Sequence, residues 1–328
     1  MNRRLFHVAS CSVTVATALL LAVSHVIAQA YPQKPVRMLL PFPPGGGTDT
    51  LARIILPKLA EVVGQPIVID YRPGAGGTIA AEIVAKSAPD GYTLFMSSST
   101  VMTTAKSLYS KLALDPIKDF APIIQLGTSQ FILVVNPSVP AKTVSEFVAL
   151  AKAKPGSLNY ASAGIGSPIY LAAELFKSRA GINIVNVAYK GGAPAANSVL
   201  AGETQVIFGS IASSLQFVKT GRLRALAVTG LKRSMVAPEL PTIAESGFPG
   251  FNVPAWSSFE APAGTPRNII ARLHDDTVRV LRMPGVPELM NKIGYTPTET
   301  SPEQLAEIKR TESAMWAKVI KDANIRVE

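Results

Sequence analysis

The sequence predicts an α/β protein built as two lobes. Short runs rich in β-branched residues alternate with longer stretches of helical periodicity along most of the chain, a pattern typical of parallel βαβ units with right-handed crossovers. The chain has 328 residues, and the 298 that follow a predicted leader of 30 residues exceed the commonest size of a single compact core.

Residues 1–30 are predicted to be a secretory signal that is removed after Ala30. Arg3 and Arg4 give it a basic start, residues 8–27 are apolar and small, and Ala28-Gln29-Ala30 has the form of a cleavage site. A retained membrane anchor is the alternative, because the apolar run approaches the roughly 20 residues that a span needs. Lipidation at Cys11 is discounted, since the apolar stretch follows this cysteine. We therefore expect an exported, periplasmic protein.

The composition after the leader excludes several kinds of site. Cys11 and two of the three histidines lie in the leader, so disulfides, thiolate nucleophiles and multi-histidine zinc sites are excluded, and no metal or organic cofactor is expected. A Ser-His-Asp triad would depend on His274 alone, which is predicted on a surface helix. The net charge of +10 becomes +8 without the two leader arginines. The remaining cations are scattered, so nucleic acid is not an expected partner.

The first third of the mature chain predicts three strands and two helices. A helix is expected over residues 49–63, with Asp49 as its N-cap, Gly64 at its C-terminal end and a kink or restart at Pro57. A second helix is expected over residues 78–86. Buried strands are expected at residues 36–40, 67–70 and 92–96.

The rest of the chain continues the alternation and ends in helices. Thr143 and Ser301 are predicted N-caps, because Glu146 and Gln304 stand three residues later and complete the pattern of a capping box. Strands are expected at residues 131–135, 158–161, 184–188, 206–208 and 225–228, and helices at residues 143–154, 168–179, 194–201, 266–281, 287–293 and 302–322.

Glycine and serine are concentrated where predicted strands give way to helices. In an open α/β sheet, ligands bind outside the carboxyl ends of strands and beside helix N-termini. Glycine permits close backbone approach, the helix start presents unpaired N–H groups and a positive dipole end, and hydroxyls add neutral donors. Such turns bind an anion without a charged side chain, so the expected ligand is a small carboxylate. The candidate binding residues are Phe42, Pro43, Gly45, Gly46, Gly47, Thr48, Asp49, Gly76, Gly77, Ser97, Ser98, Ser99, Ser162, Ala163, Gly164, Gly166, Ser167, Tyr189, Gly191, Gly192, Gly209 and Ser210.

A purely structural role is the alternative for each turn, because any tight strand-to-helix turn needs glycine and serine. Six such turns at one predicted edge favour binding. Asp49 is expected to cap its helix more than to contact a ligand, and Lys190 is expected to face solvent. Nucleotide motifs fail: Gly74-Ala75-Gly76 lacks the third glycine of the dinucleotide fingerprint, and Gly45-Gly46-Gly47 is not followed by the lysine of a P-loop.

Several short sequence blocks resemble those of the Bug-type, or tripartite tricarboxylate transporter, solute receptors. They occur in order across essentially the whole mature chain. The set is specific for the family, although each block alone is weak. The blocks are PPGGGTD at residues 43–49 with AR at 52–53, GQPIVIDYRPGAGG at 64–77, APDGYTL at 88–94, YKGG at 189–192, GRLRALAVT at 221–229 and APAGTP at 261–266.

The resemblance implies a two-lobed periplasmic binding protein fold of type II, with a cleft that closes on the ligand. Lobe one would hold residues 31–130 and 254–328, and lobe two residues 131–253. The implied ligands are di- and tricarboxylates, acidic amino acids and aromatic acids. The resemblance further implies that backbone groups and waters hold one carboxylate near Phe42, Gly46, Thr48, Asp49 and Gly76.

Two segments depart from the family pattern. Residues 207–210 lack the acidic residue that many relatives carry there, and Trp256-Ser257-Ser258-Phe259 replaces a commoner run that begins Trp-Gly. Both segments are expected near the cleft, so the identity of the ligand does not transfer from any relative.

The leading hypothesis is a monomeric receptor that delivers a carboxylate to the permease subunits of a tripartite transporter and is not an enzyme. A receptor of the same fold that feeds a membrane signalling kinase is the alternative. A hydrolase acting through paired carboxylates is a minor one, because it needs two acids in one cleft and only Asp49 stands near the predicted turns.

Overall fold

The computed structural model describes residues 31–109 and 111–325, and the predicted signal segment lies outside these residues. None of the described helices is long and apolar enough to cross a membrane. Eleven strands lie in the described part of the chain and form two sheets. They are β1 (Val36–Leu40), β2 (Ile67–Tyr71), β3 (Thr93–Ser98), β4 (Phe120–Ser129), β5 (Phe131–Val135), β6 (Asn159–Ser162), β7 (Val185–Ala188), β8 (Val206–Ser210), β9 (Arg224–Val228), β10 (Ala255–Pro262) and β11 (Thr296–Pro297).

The first sheet has the strand order β11-β4-β10-β3-β1-β2. Strand β1 is parallel to both β2 and β3, as the predicted βαβ units require. Strand β10 runs antiparallel between β3 and β4, so a late segment of the chain completes a sheet that the early segments began. The second sheet has the order β7-β6-β8-β5-β9, in which β5 is antiparallel to both of its neighbours. Two sheets flanked by helices confirm the predicted two-lobed α/β fold.

Eleven helices of four residues or more flank the sheets in the described chain. The last of them has the complete capping box that the sequence predicts at Ser301 and Gln304. At Thr143 only half of the box forms, because Glu146 accepts from the N–H of Lys142 instead of that of Thr143. The helices are α1 (Gly47–Val63), α2 (Thr78–Ala85), α3 (Ser99–Thr103), α4 (Ala105–Leu108), α5 (Val144–Ala153), α6 (Pro168–Ala180), α7 (Gly192–Ala201), α8 (Ile211–Lys219), α9 (Arg267–Leu281), α10 (Val286–Lys292) and α11 (Pro302–Asp322).

One expectation for helix α1 was wrong, and of the two alternatives at Pro57 the restart does not occur. The helix begins at Gly47 with Gly46 as its N-cap, so Asp49 lies within the first turn and is not the N-cap. Its carboxylate instead accepts from the N–H of Gly45, which places an acid near the positive end of the helix dipole. The helix also continues through Pro57 without a restart.

Strands β4, β10 and β11 and helices α3, α4 and α8 were not predicted. Strand β4 contains Pro122 and Gly127, two residues that weaken a strand pattern. Pro122 is tolerated because it faces β10 beside a register shift, and Gly127 is required because a Cβ there would lie 2.9 Å from the carbonyl oxygen of Thr296 in β11. Only pairing with distant strands explains these two residues.

The chain passes from the first sheet to the second through one residue, Gln130, between β4 and β5, and returns between β9 and β10. The core of the second sheet centres on Phe176, whose ring lies 5.4 Å from that of Phe208 and 6.1 Å from that of Phe251. Helix α11 contributes Leu305 to the core of the first sheet and Trp316 to the core of the second sheet. The residue boundaries of the two lobes stay a prediction.

Candidate functional site

A cavity of about 70 Å³ lies where the carboxyl ends of strands from both sheets meet. None of the residues that line it carries a charged side chain. Its walls combine hydroxyls, glycines and a few large apolar side chains. The lining residues are Phe42, Gly46, Gly47, Thr48, Ser98, Ser99, Ser129, Gln130, Phe131, Ala163, Pro168, Ile169, Gly192, Ala196, Ile207, Gly209, Ser210, Ser213, Ser214, Ala255, Trp256, Ser257 and Tyr295.

Five helices begin at this cavity: α1, α3, α6, α7 and α8. The first N–H groups of a helix have no partner within it and carry the positive end of the dipole. At four of the five starts no side chain caps these groups; the exception is Ser167, which accepts from the N–H of Tyr170 at 3.3 Å. The converging helix starts bring the positive ends of helix dipoles to the cavity without any cation.

Asp49 shapes the first loop from outside the cavity. It is only 4% exposed, and its carboxylate accepts from the Gly45 N–H at 2.9 Å, the Tyr71 hydroxyl at 2.6 Å and Arg53 Nε at 3.0 Å. Burial opposes its ionisation, but these hydrogen bonds outweigh burial and hold the pKa of Asp49 below its ordinary value. The ionised group therefore fixes the loop that presents Gly46 and Gly47 to the cavity.

Several of the predicted glycines make contacts between the two sheets' loops instead of lining the cavity. A Cβ on Gly191 would lie 2.3 Å from Cγ of Pro43, and a Cβ on Gly76 would lie 2.9 Å from the carbonyl carbon of Gly166. The Tyr109 hydroxyl completes this contact by donating to the carbonyl of Ile165 at 3.2 Å. At these positions glycine serves the close approach between loops that belong to the two sheets.

Ten of the predicted residues line the cavity, and they come from all but one of the predicted turns. The turn after β2 is the exception. The ten are Phe42, Gly46, Gly47, Thr48, Ser98, Ser99, Ala163, Gly192, Gly209 and Ser210. The structure places the other twelve outside its lining: Pro43, Gly45, Asp49, Gly76, Gly77, Ser97, Ser162, Gly164, Gly166, Ser167, Tyr189 and Gly191.

The predicted serines outside the cavity have partners within the fold. Ser97 Oγ lies 2.7 Å from that of Ser258, inside the first sheet. Ser162 is fully buried and its hydroxyl lies 3.5 Å from the side-chain oxygen of Asn186. Ser167 caps α6 as described above. These hydroxyls hold strands and helix ends in place.

Sequence reasoning placed residues 256–259 near the cleft but did not predict strand β10, which carries Trp256 and Ser257 to the cavity. It missed Tyr295, which lies just before β11. Ser213 and Ser214 lie in the first turns of α8, which was also missed. The serine-rich run that follows Gly209 was the available signal, because it continues a predicted turn into a helix start.

Helix α11 supports the cavity wall from behind. The Trp256 indole N–H donates to Glu312 Oε2 at 2.9 Å. Burial raises the pKa of Glu312 to about 7, and the bond from Trp256 acts in the opposite direction. One turn earlier, Lys309 Nζ lies 3.0 Å from Glu260 Oε2, and both residues are fully buried. The same strand, β10, thus carries a cavity residue and an acid held by this helix.

A second cavity, of about 240 Å³, lies behind the link between the sheets and shares Ser129, Gln130 and Tyr295 with the first. Lys232 and Arg233 give it cations, but no helix begins at it. Among the described residues no cluster of three metal-ligating side chains occurs. The smaller cavity with its converging helix starts is therefore the candidate site.

Comparisons with known proteins agree on one family. The model of the "Tripartite tricarboxylate transporter family receptor" matches residues 51–325. "Protein BugT" of Bordetella pertussis is 35% identical over 304 residues, which cover 92% of this chain and 93% of BugT. Rpa4515 of R. palustris, solved with adipate, superimposes with a TM-score of 0.87 at 35% identity, covering 90% of this chain and all of that one. MatC from Rhodopseudomonas palustris, solved with bound malate, gives 0.85 at 33% identity over 88% of this chain and all of MatC.

Proposed function

The chain belongs to the tripartite tricarboxylate transporter receptor family, and we propose that it captures a small carboxylate in the cavity between its two sheets. Members of this family are periplasmic solute-binding receptors. The observation that carries the proposal is the convergence of five helix starts and several hydroxyls on a cavity with no charged side chain. The related structures with adipate and malate agree with this ligand class.

The carboxylate is bound mainly by main-chain groups. The starts of α1 and α8 face each other closely, because a Cβ on Gly47 would lie 2.6 Å from Ser210 Oγ. A carboxylate in the cavity beside this contact accepts from N–H groups at the converging helix starts, and their dipoles favour its charge. Thr48 and Ser98 also line the cavity, and their hydroxyls supply further donors.

Capture depends on closure of two lobes. We propose lobe one at residues 31–130 and 254–328 and lobe two at residues 131–253, with hinges where the chain crosses between the sheets. Each lobe alone offers too few donors to replace the water shell of a carboxylate, so affinity requires the closed arrangement. The glycine contacts across the cleft, such as Gly191 against Pro43, belong to this closed form.

The wider setting follows from the family. We propose that residues 1–30 are removed on export, that the mature chain is a monomer in the periplasm, and that it hands its ligand to the permease subunits of a tripartite transporter. Its role is binding and release without catalysis. Intact-mass analysis of a periplasmic extract and light scattering of the purified protein test the cleavage and the monomer directly.

Thermal unfolding in the presence of acids tests the ligand class. A ligand that binds only the native state stabilises it by about 2.7 kcal/mol at a concentration 100 times Kd, so butanoate, succinate or malate that binds should raise the Tm. The matched controls are the methyl esters of the same acids, which keep the shape and lose the charge. A set of acids that leaves the Tm unchanged, or esters that raise it equally, would contradict carboxylate capture.

A further inference from the structure

The Trp256 ring in the cavity wall is held by a single hydrogen bond. Trp256 is 3% exposed, and its indole N–H, the one polar group of the side chain, donates to Glu312 Oε2 at 2.9 Å. A buried indole N–H needs such a partner, and turning the ring over would break the bond. The orientation of this part of the wall therefore depends on a carboxyl group of helix α11, which does not itself line the cavity.

Glu312 has no countercharge in the described part of the chain. Trp256 is the one described group that donates to it, and no cation pairs with it. Glu260, on the same strand as Trp256, is fully buried but receives Lys309 Nζ at 3.0 Å and the Ser258 hydroxyl at 2.9 Å. A carboxylate out of water is normally balanced in the way that Glu260 is. The charge of Glu312 is left unbalanced.

The elements packed against α11 supply no charge to Glu312. Strand β4 and helix α3 contain no ionisable side chain. The charged residues of α4 and β10, and those of α11 within one turn of Glu312, are paired elsewhere. Burial therefore acts on the carboxyl against the Trp256 bond alone, and it raises the pKa of Glu312 to about 7. Glu312 is partly exposed, so its proton exchanges with solvent. The three pairs are Lys106 with Asp115, Lys309 with Glu260, and Arg310 with Glu307.

A ligand carboxylate acts on Glu312 through its charge. The residues that line the cavity carry no charged side chain, so no cation in the wall offsets an anion that binds there. The neutral indole of Trp256 contacts the cavity and, through its N–H, the carboxyl of Glu312. Two negative charges separated by one side chain in partly buried surroundings repel each other, and salt screens them little. Binding of an anion therefore favours the protonated form of Glu312.

We propose that Glu312 is a positioning residue that orients the Trp256 ring and takes up a proton from solvent when the cavity captures a carboxylate. The protonated carboxyl keeps its carbonyl oxygen as an acceptor, so the ring stays in place in both states. Bound ligand raises the pKa of Glu312 further, so affinity is highest below about pH 7, falls as the pH rises through that value and levels off above the bound-state pKa. This inference rests on the proposed function, but it requires no particular length of acid.

Calorimetry with succinate, malate and adipate on the full mature chain tests the coupling. For each acid that binds, the wild-type affinity should fall about 3- to 10-fold between pH 6 and pH 9, which corresponds to a pKa about 0.5–1 higher in the bound protein. Titrations at pH 7.5 in phosphate and in Tris, two buffers that differ in ionisation enthalpy, should show uptake of about 0.3–0.5 proton per ligand. Glu312→Gln keeps an acceptor for Trp256 and should lose both effects.

Two further variants separate positioning from general support of the helix. Glu307→Gln is the matched control, because Glu307 lies on the same helix, is exposed and pairs with Arg310. This control should keep the pH dependence of the wild-type protein. Glu312→Leu removes the acceptor and should weaken binding about 3- to 10-fold already at pH 6, the usual effect of one lost hydrogen bond. Glu312→Gln should not show this loss at pH 6, since its amide oxygen replaces the acceptor.

Tryptophan fluorescence tests the pair in the ligand-free protein. The chain has two tryptophans, and Trp316→Phe leaves Trp256 as the remaining one. Its emission should change with a midpoint at about pH 7, a saturating acid should move the midpoint upward, and Glu312→Gln should abolish the change.

An affinity that is equal at pH 6 and pH 9, or a pH dependence that survives in Glu312→Gln, would overturn the assignment. A Trp256 emission that does not titrate would do the same. A wild-type protein that binds none of the acids, although its Trp256 emission titrates, contradicts the proposed function itself, and the proton uptake with it.

Discussion

Gly47 offers a direct test of whether the closed cleft is the binding form. The residue is the first of α1 and has an ordinary helical backbone, so alanine fits there without backbone strain. Within one lobe the change is neutral or favourable, because alanine exceeds glycine in helix propensity by up to about 1 kcal/mol. Across the cleft, however, the new Cβ would lie 2.6 Å from Ser210 Oγ, 3.2 Å from its Cβ and 3.4 Å from the hydroxyl of Tyr295.

The size of the effect follows from these distances. Ser210 must move by several tenths of an ångström, or the cleft must close less tightly, and overpacking of this kind costs about 1–3 kcal/mol. Because the cost falls on the closed form alone, it appears as a loss of ligand affinity of about 5- to 150-fold. We expect Gly47→Ala to unfold at the wild-type temperature or above when ligand-free, and to bind its acid more weakly.

The assay combines calorimetry with the bound acid and thermal unfolding followed by circular dichroism. Gly192→Ala is the matched control, since Gly192 is also the first residue of a helix behind a glycine N-cap and also lines the cavity. Its Cβ would meet only Ile169 Cδ1 at 3.5 Å, an ordinary contact. The affinity of this control should stay within about threefold of wild type.

A double variant tests whether the contact between Gly47→Ala and Ser210 causes the loss of affinity. Ser210→Ala removes the atom at 2.6 Å and leaves the nearest one at 3.2 Å, so Gly47→Ala should cost less affinity in that background, with a coupling of at least about 0.5 kcal/mol. Wild-type affinity in the single variant Gly47→Ala would refute the closed arrangement as the binding form. Equal losses in Gly47→Ala and Gly192→Ala would instead assign the effect to the helix starts and not to the contact across the cleft.

Three further substitutions test residues that hold helix α11 and strand β10 in place behind the cavity. Burial raises the pKa of Glu312 to about 7, so the folded protein binds more protons than the unfolded chain between about pH 4.5 and 7, and its stability falls as the pH rises through that window. Glu312→Gln keeps an acceptor for Trp256 and should therefore raise the Tm more at pH 8 than at pH 5. An equal change of the Tm at both pH values would contradict this. Lys309→Met leaves the fully buried Glu260 unpaired and should lower the free energy of unfolding by about 3–5 kcal/mol; urea titration should show recovery when Glu260→Gln is added. Ser301→Ala removes the complete capping box of α11 and should cost about 1 kcal/mol, measured in the same titration, with unchanged ligand affinity as its check.

The sequence by itself determined the elements whose signals are local. The β1-α1-β2-α2-β3 order, the helix caps at Thr143 and Ser301 and the C-terminal glycine at Gly64 are all set by neighbouring residues. The same locality explains why the glycine-rich turns were found, because the need for a tight turn at the end of a strand appears within a few residues. Ten cavity residues were predicted in this way.

Tertiary structure alone decided what each of those residues does. Gly45 and Gly46 are neighbours in one glycine run, yet only Gly46 lines the cavity, while a Cβ on Gly45 would lie 3.0 Å from that of Ala193 in helix α7. Strand β10 pairs with β3 although more than 150 residues separate them, and it brings Trp256 to the cavity. Such roles depend on distances between residues far apart in the chain, and local propensity and hydrophobic period carry no record of those distances.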